Sequence, residues 1–391
     1  MSTTVCGTGI ISAIGESSSE AIRNLTESRS GLGLLSLFES RIKTYVGEVK
    51  LSNTELKEQL GLKRSDTFSR TALLGMAAAS ASVKEACIPQ GARIGLISAT
   101  TAGGMDLSEQ FYREFKKNPN KGRLRDIIGH DCAQSTNQIA DYCNITGFRT
   151  TISTACSSAA NAILLGAEMV ERGLLDYAVA GGTDALCRFT LNGFNSLMIL
   201  GKEPCKPFDK NRGGMNLGEG AGYIVLTRKE HAGKRYCNLT GYANANDAFH
   251  QTASSTNGNG AYMAMKQALK MGGVQPGQIG YINAHGTGTQ NNDLSEGQAL
   301  IRLFGEKIPP FSSTKGYTGH TLAAAGGIEA VFSIMALTGK TVFCNLGFES
   351  PMEELNLFPL TAAARGIAIE NVLSNSFGFG GNCTSLLFSK L

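Results

Sequence analysis

The chain has 391 residues, a length that allows one large domain or two fused halves. Charged residues make up 17% of the chain, below the roughly 25% that is usual in soluble domains, which indicates a large buried interior and a sizeable subunit interface. The formal net charge of +4 is too small for a nucleic-acid-binding protein. It still leaves room for a local basic patch that faces an acidic partner.

Short apolar runs alternate with longer helical patterns along the chain, which predicts an α/β fold. In chain order, the predicted strands cover residues 5–12, 94–98, 150–154, 178–181, 222–227, 238–243, 279–284 and 386–389. The predicted helices cover residues 70–86, 157–172, 261–271, 294–304 and 326–337. The pattern of strand, glycine-rich turn and helix restarts near Asn238. We therefore expect two similar halves packed as one body, residues 1–237 and residues 238–391.

The cysteines and the N-terminal sequence indicate the compartment. Ten cysteines are scattered without a C-x-x-C pair, which predicts free thiols rather than disulfides. The opening MSTTVCGTGIIS lacks the basic segment and apolar core of a signal peptide. We also expect no apolar stretch that approaches the roughly 18 residues of a membrane span. These features predict a cytoplasmic protein.

Cys156 lies between a predicted strand and the predicted helix 157–172. At a helix N-terminus, unpaired backbone N–H groups and the positive end of the dipole stabilise a thiolate, and Ser157 or Ser158 is suited to cap the helix. A thiolate attacks carbonyl and thioester carbons, and the same N–H groups can stabilise an oxyanion. The alternative is a buried structural cysteine, which is the expected role of most of the ten.

Two of the five histidines lie in similar glycine-rich turns, His285 in INAHGTGTQNND and His320 in SSTKGYTGHTLAAAGG. Each alone is equally well explained as a core histidine, whereas the pair together with Cys156 favours catalysis. A metal site is a further alternative, disfavoured because no H-x-x-x-H or C-x-x-C spacing supports it. Lys315 and Glu329 bracket His320. They could pair with each other and hold the turn in place, or form a surface ion pair that contributes little stability.

Motifs from one end of the chain to the other together carry a family resemblance. They are TGIISAIG at 8–15, STACSSAANAI at 153–163, AVAGGTDA at 178–185, KPFDKNRGGMNLGEGAG at 206–222, NAHGTGT at 283–289, STKGYTGHTLAAAGG at 313–327 and SNSFGFGGN at 374–382. In this order they resemble the elongating, synthase II-like β-ketoacyl-[acyl-carrier-protein] synthases of the thiolase superfamily. The resemblance implies the thiolase fold, in which two similar βαβαβαββ halves give a five-layered α-β-α-β-α architecture.

The resemblance implies an acyltransferase that condenses malonyl-carrier protein, with loss of carbon dioxide, with an acyl group held on Cys156. The substrates would be carried on the phosphopantetheine of an acyl-carrier protein, with no metal or redox cofactor. His285 and His320 match the pair that assists malonyl decarboxylation. Lys315 matches the lysine that orders the site, and Glu329 matches its acidic partner.

Further site residues are implied in the same way. The backbone N–H groups of Cys156 and Phe379 match the oxyanion hole, and the Phe379 turn resembles the family's mobile gate. Phe194 matches a phenylalanine that lines the acyl tunnel. Thr287 and Thr289 match hydroxyls near the malonyl group.

The chain departs from the family pattern at the gate. Phe379 is followed by Gly-Gly-Asn-Cys at 380–383 instead of the family's common Gly-Gly-Thr-Asn, which is expected to alter gate movement. Gly288 in HGTGT is similar to polyketide-type synthases, and STKGYTGHT is similar to aryl-polyene synthases. We therefore expect an unsaturated or aryl-capped acyl chain.

The carrier protein is acidic, which predicts a basic patch at the tunnel mouth. Lys63, Arg64 and Arg70 match the region that the family uses for docking. A second basic cluster is interpreted as a solvated face and comprises Lys116, Lys117, Lys121, Arg123 and Arg125. We expect a homodimer or a heterodimer with a related ketosynthase-like subunit.

Two other functions are alternatives to condensation. A non-catalytic partner subunit related to chain-length factors would usually lack the nucleophile, and the set of Cys156, His285 and His320 argues against it. A thiolase-type enzyme acting on coenzyme A thioesters would usually carry a second catalytic cysteine near the C-terminus. Cys383 follows the gate motif instead of lying in a C-x-G turn, which argues against that function.

Overall fold

The structure is a computed structural model that describes residues 3–391. The strands β1–β14 are, in chain order, Thr3–Ser12, Leu32–Leu34, Tyr45–Gly47, Ile94–Ala99, Arg149–Ile152, Tyr177–Asp184, Gly220–Thr227, Cys237–Asn246, Tyr281–Asn283, Phe311–Ser312, Thr341–Val342, Ala364–Arg365, Asn371–Phe377 and Asn382–Ser389. The helices α1–α12 are Ser18–Thr26, Asn53–Gln59, Arg70–Ala86, Met105–Lys117, Arg125–Ile128, Cys132–Tyr142, Ser158–Glu171, Arg188–Ser196, Asn259–Gly272, Gln290–Phe304, Lys315–Thr318 and Ala325–Gly339.

Ten of these strands form a mixed sheet in the order β10-β9-β13-β14-β8-β1-β7-β6-β4-β5. When the five strands of each half are numbered in chain order, both halves read 3-2-4-5-1 from the outer edge to the middle. The directions of the strand pairs repeat as well, because the outer two pairs of each half are parallel and the inner two antiparallel. The division into residues 1–237 and 238–391 stays a prediction, and β8 begins one residue earlier, at Cys237.

Helices separate and cover the two halves of the sheet. Helices α7 and α12 contact strands of both halves and form the central layer, α3 and α6 cover the outer face of the N-terminal half, and α9 covers that of the C-terminal half. Small residues let the central helices approach the sheet closely. A Cβ atom on Gly327 of α12 would lie 2.3 Å from the carbonyl oxygen of Gly222, so only glycine fits there.

One apolar segment corrects the prediction about membrane spans. Leu322–Gly339 is long and apolar enough to cross a membrane by length and composition, but 89% of it is buried inside the protein. Since it includes α12 in the central layer, it is the core helix of the fold, and helices that are apolar all round are typical of such positions.

The predicted elements agree with the structure in type, and their ends shift by a few residues. Helix α3 has the predicted bounds, residues 70–86, whereas the strand predicted over 150–154 ends at Ile152 because the chain turns toward α7. The helices between residues 105 and 142 and strand β13 were not predicted. Helix α4 is amphipathic, yet none of its residues is buried.

Candidate active site

A tight turn between β5 and α7 carries Cys156. Ala155 has φ +53°, a left-handed conformation that is uncommon for a residue with a side chain. The backbone N–H of Thr154 donates to Ser158 Oγ at 2.7 Å, and that hydroxyl donates to the carbonyl oxygen of Ala155 at 2.5 Å. These bonds hold the strained residue in place, so that Cys156 lines a cavity and is 6% exposed.

The state of the sulfur differs from the prediction. Burial raises the pKa of the Cys156 thiol to about 11, while the Lys315 charge and the backbone N–H groups of Phe379 and Cys156 lower it by less. At neutral pH the resting group is therefore a thiol rather than the expected thiolate. Ser157 is the N-cap residue of α7, but its side chain makes no capping bond; its hydroxyl donates instead to Asn382 Oδ1 at 2.6 Å, with Thr154 O at 2.8 Å as the alternative acceptor.

Two loops bring His285 and His320 to the same cavity. His285 lies two residues after the end of β9, and its backbone N–H donates to Glu296 of α10 at 2.9 Å. The two imidazole rings are nearly perpendicular, with centroids 5.4 Å apart. One ligand atom from each of Cys156, His285 and His320 lies within 4.8 Å of the others. The structure thus places the three residues together.

Hydrogen bonds assign the same neutral tautomer to both histidines. His320 Nδ1 accepts from the backbone N–H of Leu322 at 3.1 Å, so Nε2 carries the proton, and it has no partner within residues 3–391. Lys315 Nζ lies 3.3 Å from His285 Nδ1, which places the proton of His285 on Nε2 too. Burial, followed by the Lys315 charge, holds the pKa of each histidine well below its usual value. Two neutral N–H donors therefore belong to this site at pH 7.

Lys315 and Glu329 form a buried pair, so a surface ion pair is the wrong interpretation. Lys315 Nζ lies 2.5 Å from Glu329 Oε1, and the two side chains are 2% and 4% exposed. The ammonium also donates to the backbone oxygen of His285 at 2.5 Å. Burial raises the pKa of Glu329 to about 7, and the charge of Lys315 opposes that rise. The pair holds the His285 loop against α12.

Two cavities meet at Cys156. The first, of about 350 Å³, is lined by both histidines together with Thr287 and Thr289, and the second is about 370 Å³. Both are lined by Cys156 and Phe379. The second cavity is mostly apolar, and its lining residues are Thr101, Ala102, Ala155, Cys156, Phe189, Thr190, Gly193, Phe194, Ser196, Leu197, Leu322 and Phe379.

Phe379 lines both of these cavities. It stacks on Phe194 with centroids 6.1 Å apart and an interplanar angle of 18°, and its backbone N–H contacts the sulfur of Cys156. Gly380 and Gly381 follow with φ +81° and +80°, conformations that favour glycine. The turn therefore has two adjacent residues at which the backbone can rotate easily.

Two carboxylates that position the site were not predicted. Besides His285, Glu296 also receives the N–H of Gly286, and burial raises the pKa of Glu296 to about 7. Asp184 accepts the backbone N–H groups of Ala102 and Ala323, one beside the apolar cavity and one in the turn after His320. The sequence did contain a signal for Glu296, which is one of two acidic residues three positions apart in the helix that follows HGTGT. For Asp184 the only signal was its place in the motif AVAGGTDA.

The predicted docking residues fall into two groups. Lys63 and Arg64 are exposed, and Arg64 pairs with Glu58. Arg70 is wrong as a docking residue, because it is 4% exposed and its guanidinium binds Glu219 with two hydrogen bonds of 2.6 and 2.8 Å. The second basic cluster is solvent-exposed as expected, and comprises Lys116, Lys117, Lys121, Arg123 and Arg125.

A metal ion is the remaining alternative for the cysteine and two histidines. Their ligand atoms are close enough for shared coordination. However, the Lys315 ammonium lies 3.3 Å from His285 Nδ1, and a divalent cation beside it would be repelled. Cys383 does not add a second thiol to the site, since it is buried in β14 and lines neither cavity.

Comparison with known proteins gives a consistent result over the whole chain. Residues 3–232 match the profile of the Beta-ketoacyl synthase N-terminal domain, and residues 236–349 match that of the C-terminal domain. The 3-oxoacyl-[acyl-carrier-protein] synthase 2 of Vibrio harveyi is 32% identical, over 99% of this chain and 98% of its own.

Solved structures agree in fold. A ketosynthase in complex with its chain length factor from Xenorhabdus doucetiae is 32% identical, with TM-score 0.89 over 100% of this chain and 98% of that one. The ishigamide ketosynthase/chain length factor is 27% identical, with TM-score 0.93 over 100% and 99%. The expected thiolase fold of the α/β class is thereby confirmed.

Proposed function

The chain belongs to the beta-ketoacyl synthase family, and from that premise we propose how its residues elongate an acyl chain. The reaction is a carrier-protein-dependent Claisen condensation, and the enzyme is an acyltransferase of the 3-oxoacyl-[acyl-carrier-protein] synthase type. Cys156 is the nucleophile, Phe379 and Cys156 supply backbone donors, and His285 and His320 supply imidazole donors.

The first half-reaction moves the acyl group to Cys156. The sulfur attacks the carbonyl carbon of the acyl-carrier thioester, a new C–S bond forms, and the carrier's C–S bond breaks. The proton of the Cys156 thiol ends on the released carrier thiol. The oxyanion that forms on the way is stabilised by the backbone N–H groups of Cys156 and Phe379. The acyl chain then occupies the apolar cavity beside Phe194.

The second half-reaction makes the new C–C bond. Malonyl-carrier protein loses carbon dioxide, and the electron pair of the broken bond forms an enolate whose oxygen accepts from the Nε2–H groups of His285 and His320. The enolate carbon attacks the Cys156 thioester, which gives β-ketoacyl-carrier protein and a Cys156 thiolate that takes a proton from solution. Thr287 and Thr289, which line the same cavity, are proposed to contact the malonyl carboxylate.

One observation carries this proposal: two neutral Nε2–H donors and a cysteine line one cavity. To test it, acyl-carrier and malonyl-carrier proteins are incubated with the enzyme, and the carrier-bound product and released carbon dioxide are measured, with Cys156→Ala as the control. A carrier product two carbons longer, formed by the wild type alone, supports condensation. Decarboxylation of malonyl-carrier protein without any longer product would exclude it.

We propose that substrates arrive on the phosphopantetheine of an acyl-carrier protein and that no metal or redox cofactor takes part. Phosphopantetheine carriage agrees with the carrier-protein synthases to which the chain is similar. Each step above needs only a thioester, hydrogen-bond donors and loss of carbon dioxide. Undiminished turnover after dialysis against a strong chelator would support the absence of a metal, and its loss with recovery on adding Zn²⁺ would establish the metal alternative.

A carrier protein and a ketosynthase-like subunit are the proposed partners. Lys63 and Arg64 are exposed cations suited to an acidic carrier protein. The Xenorhabdus doucetiae relative is in complex with its chain length factor, which supports a heterodimer as well as a homodimer. The mass of the purified protein, alone and with a related subunit, distinguishes the two. We place the protein in the cytoplasm, where its proposed carrier substrates would be found.

The acyl chain itself is proposed to be unsaturated or aryl-capped. This rests on the motifs around Gly288 and His320, which are similar to polyketide-type and aryl-polyene synthases, and on the likeness to ketosynthase and chain-length-factor structures. Turnover is compared with saturated and polyenyl acyl-carrier proteins of equal length. A clear preference for saturated chains would refute it.

A further inference from the structure

The side chain of Asn382 ties the end of the Phe379 turn to the helix that follows Cys156. Its single carboxamide oxygen accepts three hydrogen bonds, from Ser157 Oγ at 2.6 Å, Asn161 Nδ2 at 2.8 Å and Asn244 Nδ2 at 2.7 Å. Ser157 and Asn161 lie at the start of α7, and Asn244 lies on β8. One oxygen atom thus joins the first residue of β14 to elements from both halves of the chain.

Asn382 lies at the fixed end of a turn that can otherwise rotate. Between it and Phe379 are the two glycines with φ near +80°. The carbonyl oxygen of Asn382 accepts the N–H of Gly378 at 2.8 Å, which closes the turn. On the outer side, the turn has backbone hydrogen bonds to Gln251 and Asp247, of 2.7 and 2.8 Å. Its contact with the Cys156 helix through a side chain therefore depends on Asn382.

The donors around Asn382 each have a second acceptor. The Ser157 hydroxyl can turn its one proton to Thr154 O, which lies 2.8 Å away. The two protons of each amide allow Asn161 Nδ2 to donate also to Thr154 Oγ1 at 2.8 Å, and Asn244 Nδ2 also to Thr384 Oγ1 at 2.8 Å. Asn244 is exposed, so water also reaches this cluster. Removing the Asn382 carboxamide would therefore leave no buried donor without an acceptor. Because the large cost of losing a hydrogen bond comes from such unsatisfied groups, we expect the substitution to lower the stability of the fold only slightly.

We infer that Asn382 is a positioning residue that holds the Phe379 turn against Cys156, an inference that rests on the proposed function. With the carboxamide in place, the Phe379 N–H contacts the sulfur, and the Phe379 ring stacks on Phe194 where both cavities reach Cys156. Without it, the glycine-containing turn samples other positions. The oxyanion donor is then misplaced for part of the time, while the sulfur itself becomes easier to reach.

Two rates on the same cysteine distinguish positioning from general damage. Acyl transfer from acyl-carrier protein needs the Phe379 N–H, whereas alkylation by iodoacetamide displaces iodide at the sulfur and develops no oxyanion. Removing an oxyanion donor outright costs about 10²–10³-fold, and a donor displaced part of the time costs less. For Asn382→Ala we expect acyl transfer to fall about tenfold while alkylation stays equal to the wild type or rises.

Thr384→Val is the matched control, because Thr384 belongs to the same polar cluster but bonds Asn161 rather than the Asn382 oxygen. Its ratio of transfer to alkylation should stay within about twofold of the wild type. Asn382→Ser, whose side chain is too short for its hydroxyl to reach α7, is measured in parallel. If Asn382→Ala does not fold, the ratio measured for Asn382→Ser tests the role of Asn382 instead.

The outcomes separate the inference from the proposed function. An unchanged ratio in the folded Asn382 variant, a parallel fall of both rates, or an equal fall in Thr384→Val would overturn the role of Asn382. If the wild-type protein transfers no acyl group from any carrier while iodoacetamide still alkylates Cys156, the proposed function fails, and the inference fails with it.

Discussion

Replacing His320 by asparagine should separate the two half-reactions. The asparagine amide occupies the position of the Nδ1 edge of the ring, so its oxygen can still accept from the Leu322 N–H, which lies 3.1 Å from Nδ1. The group that is lost is the Nε2–H, which is buried and has no partner in the part of the chain that the structure describes. The substitution therefore removes one donor and spares the local fold.

The size of the effect follows from the role of that donor. Losing one donor to a developing oxyanion costs about 10²–10³-fold, or roughly 2.7–4 kcal/mol, so carbon dioxide release from malonyl-carrier protein should fall by that factor. Acyl transfer to Cys156 uses backbone N–H groups instead, and should change less than about threefold. Carbon dioxide release and acyl-enzyme formation are measured separately, in single-turnover experiments.

His320→Gln is the control for His320→Asn, because its longer amide reaches toward the Nε2 position and restores a donor there. We expect it to recover part of the decarboxylation rate. Equal losses of decarboxylation and acyl transfer in His320→Asn would refute the separation of roles. A decarboxylation rate within about threefold of the wild type would refute the donor role itself.

Three further predictions concern charge and protonation. Lys315→Met leaves Glu329 buried without its partner and should lower the free energy of unfolding by about 3–5 kcal/mol in urea titrations. Adding Glu329→Gln should recover part of this loss. A loss below about 1 kcal/mol would instead be typical of a surface ion pair. Because the pKa of Cys156 is raised to about 11, deprotonation increases with pH, and alkylation should accelerate about tenfold per pH unit from about pH 7 to 10; a plateau by about pH 8 would contradict this. Lys63→Glu with Arg64→Glu should raise KM for carrier-bound substrate without slowing Cys156 alkylation, and an unchanged KM would exclude that patch.

The three residues that we propose as catalytic could be singled out from the sequence because their signals are local. Cys156 stands at a strand-to-helix junction, and His285 and His320 stand in turns rich in small residues, so each was found without knowledge of long-range contacts. The strained Ala155 that shapes the junction left no signal, because its φ value depends on hydrogen bonds to Ser158.

What the sequence did not predict is burial produced by distant partners. Arg70 looked like a surface cation beside a helix, yet Glu219, 149 positions later, binds it in the interior. The expectation of a thiolate at Cys156 did not take into account the burial that raises the pKa of this thiol. In the sequence Asn382 is only a departure from a motif, because its three donors lie at the start of α7 and on β8, far away in sequence.

The measurement that tests the central claim most directly is the intact mass of the pure protein after incubation with a panel of acyl-carrier proteins. The account predicts a gain equal to one acyl group, located on Cys156 and absent in Cys156→Ala. The gain would also rank the acyl chains. No gain with any chain, from protein whose Cys156 is alkylated by iodoacetamide and in the presence of a ketosynthase-like partner subunit, would contradict the claim that Cys156 carries the growing chain.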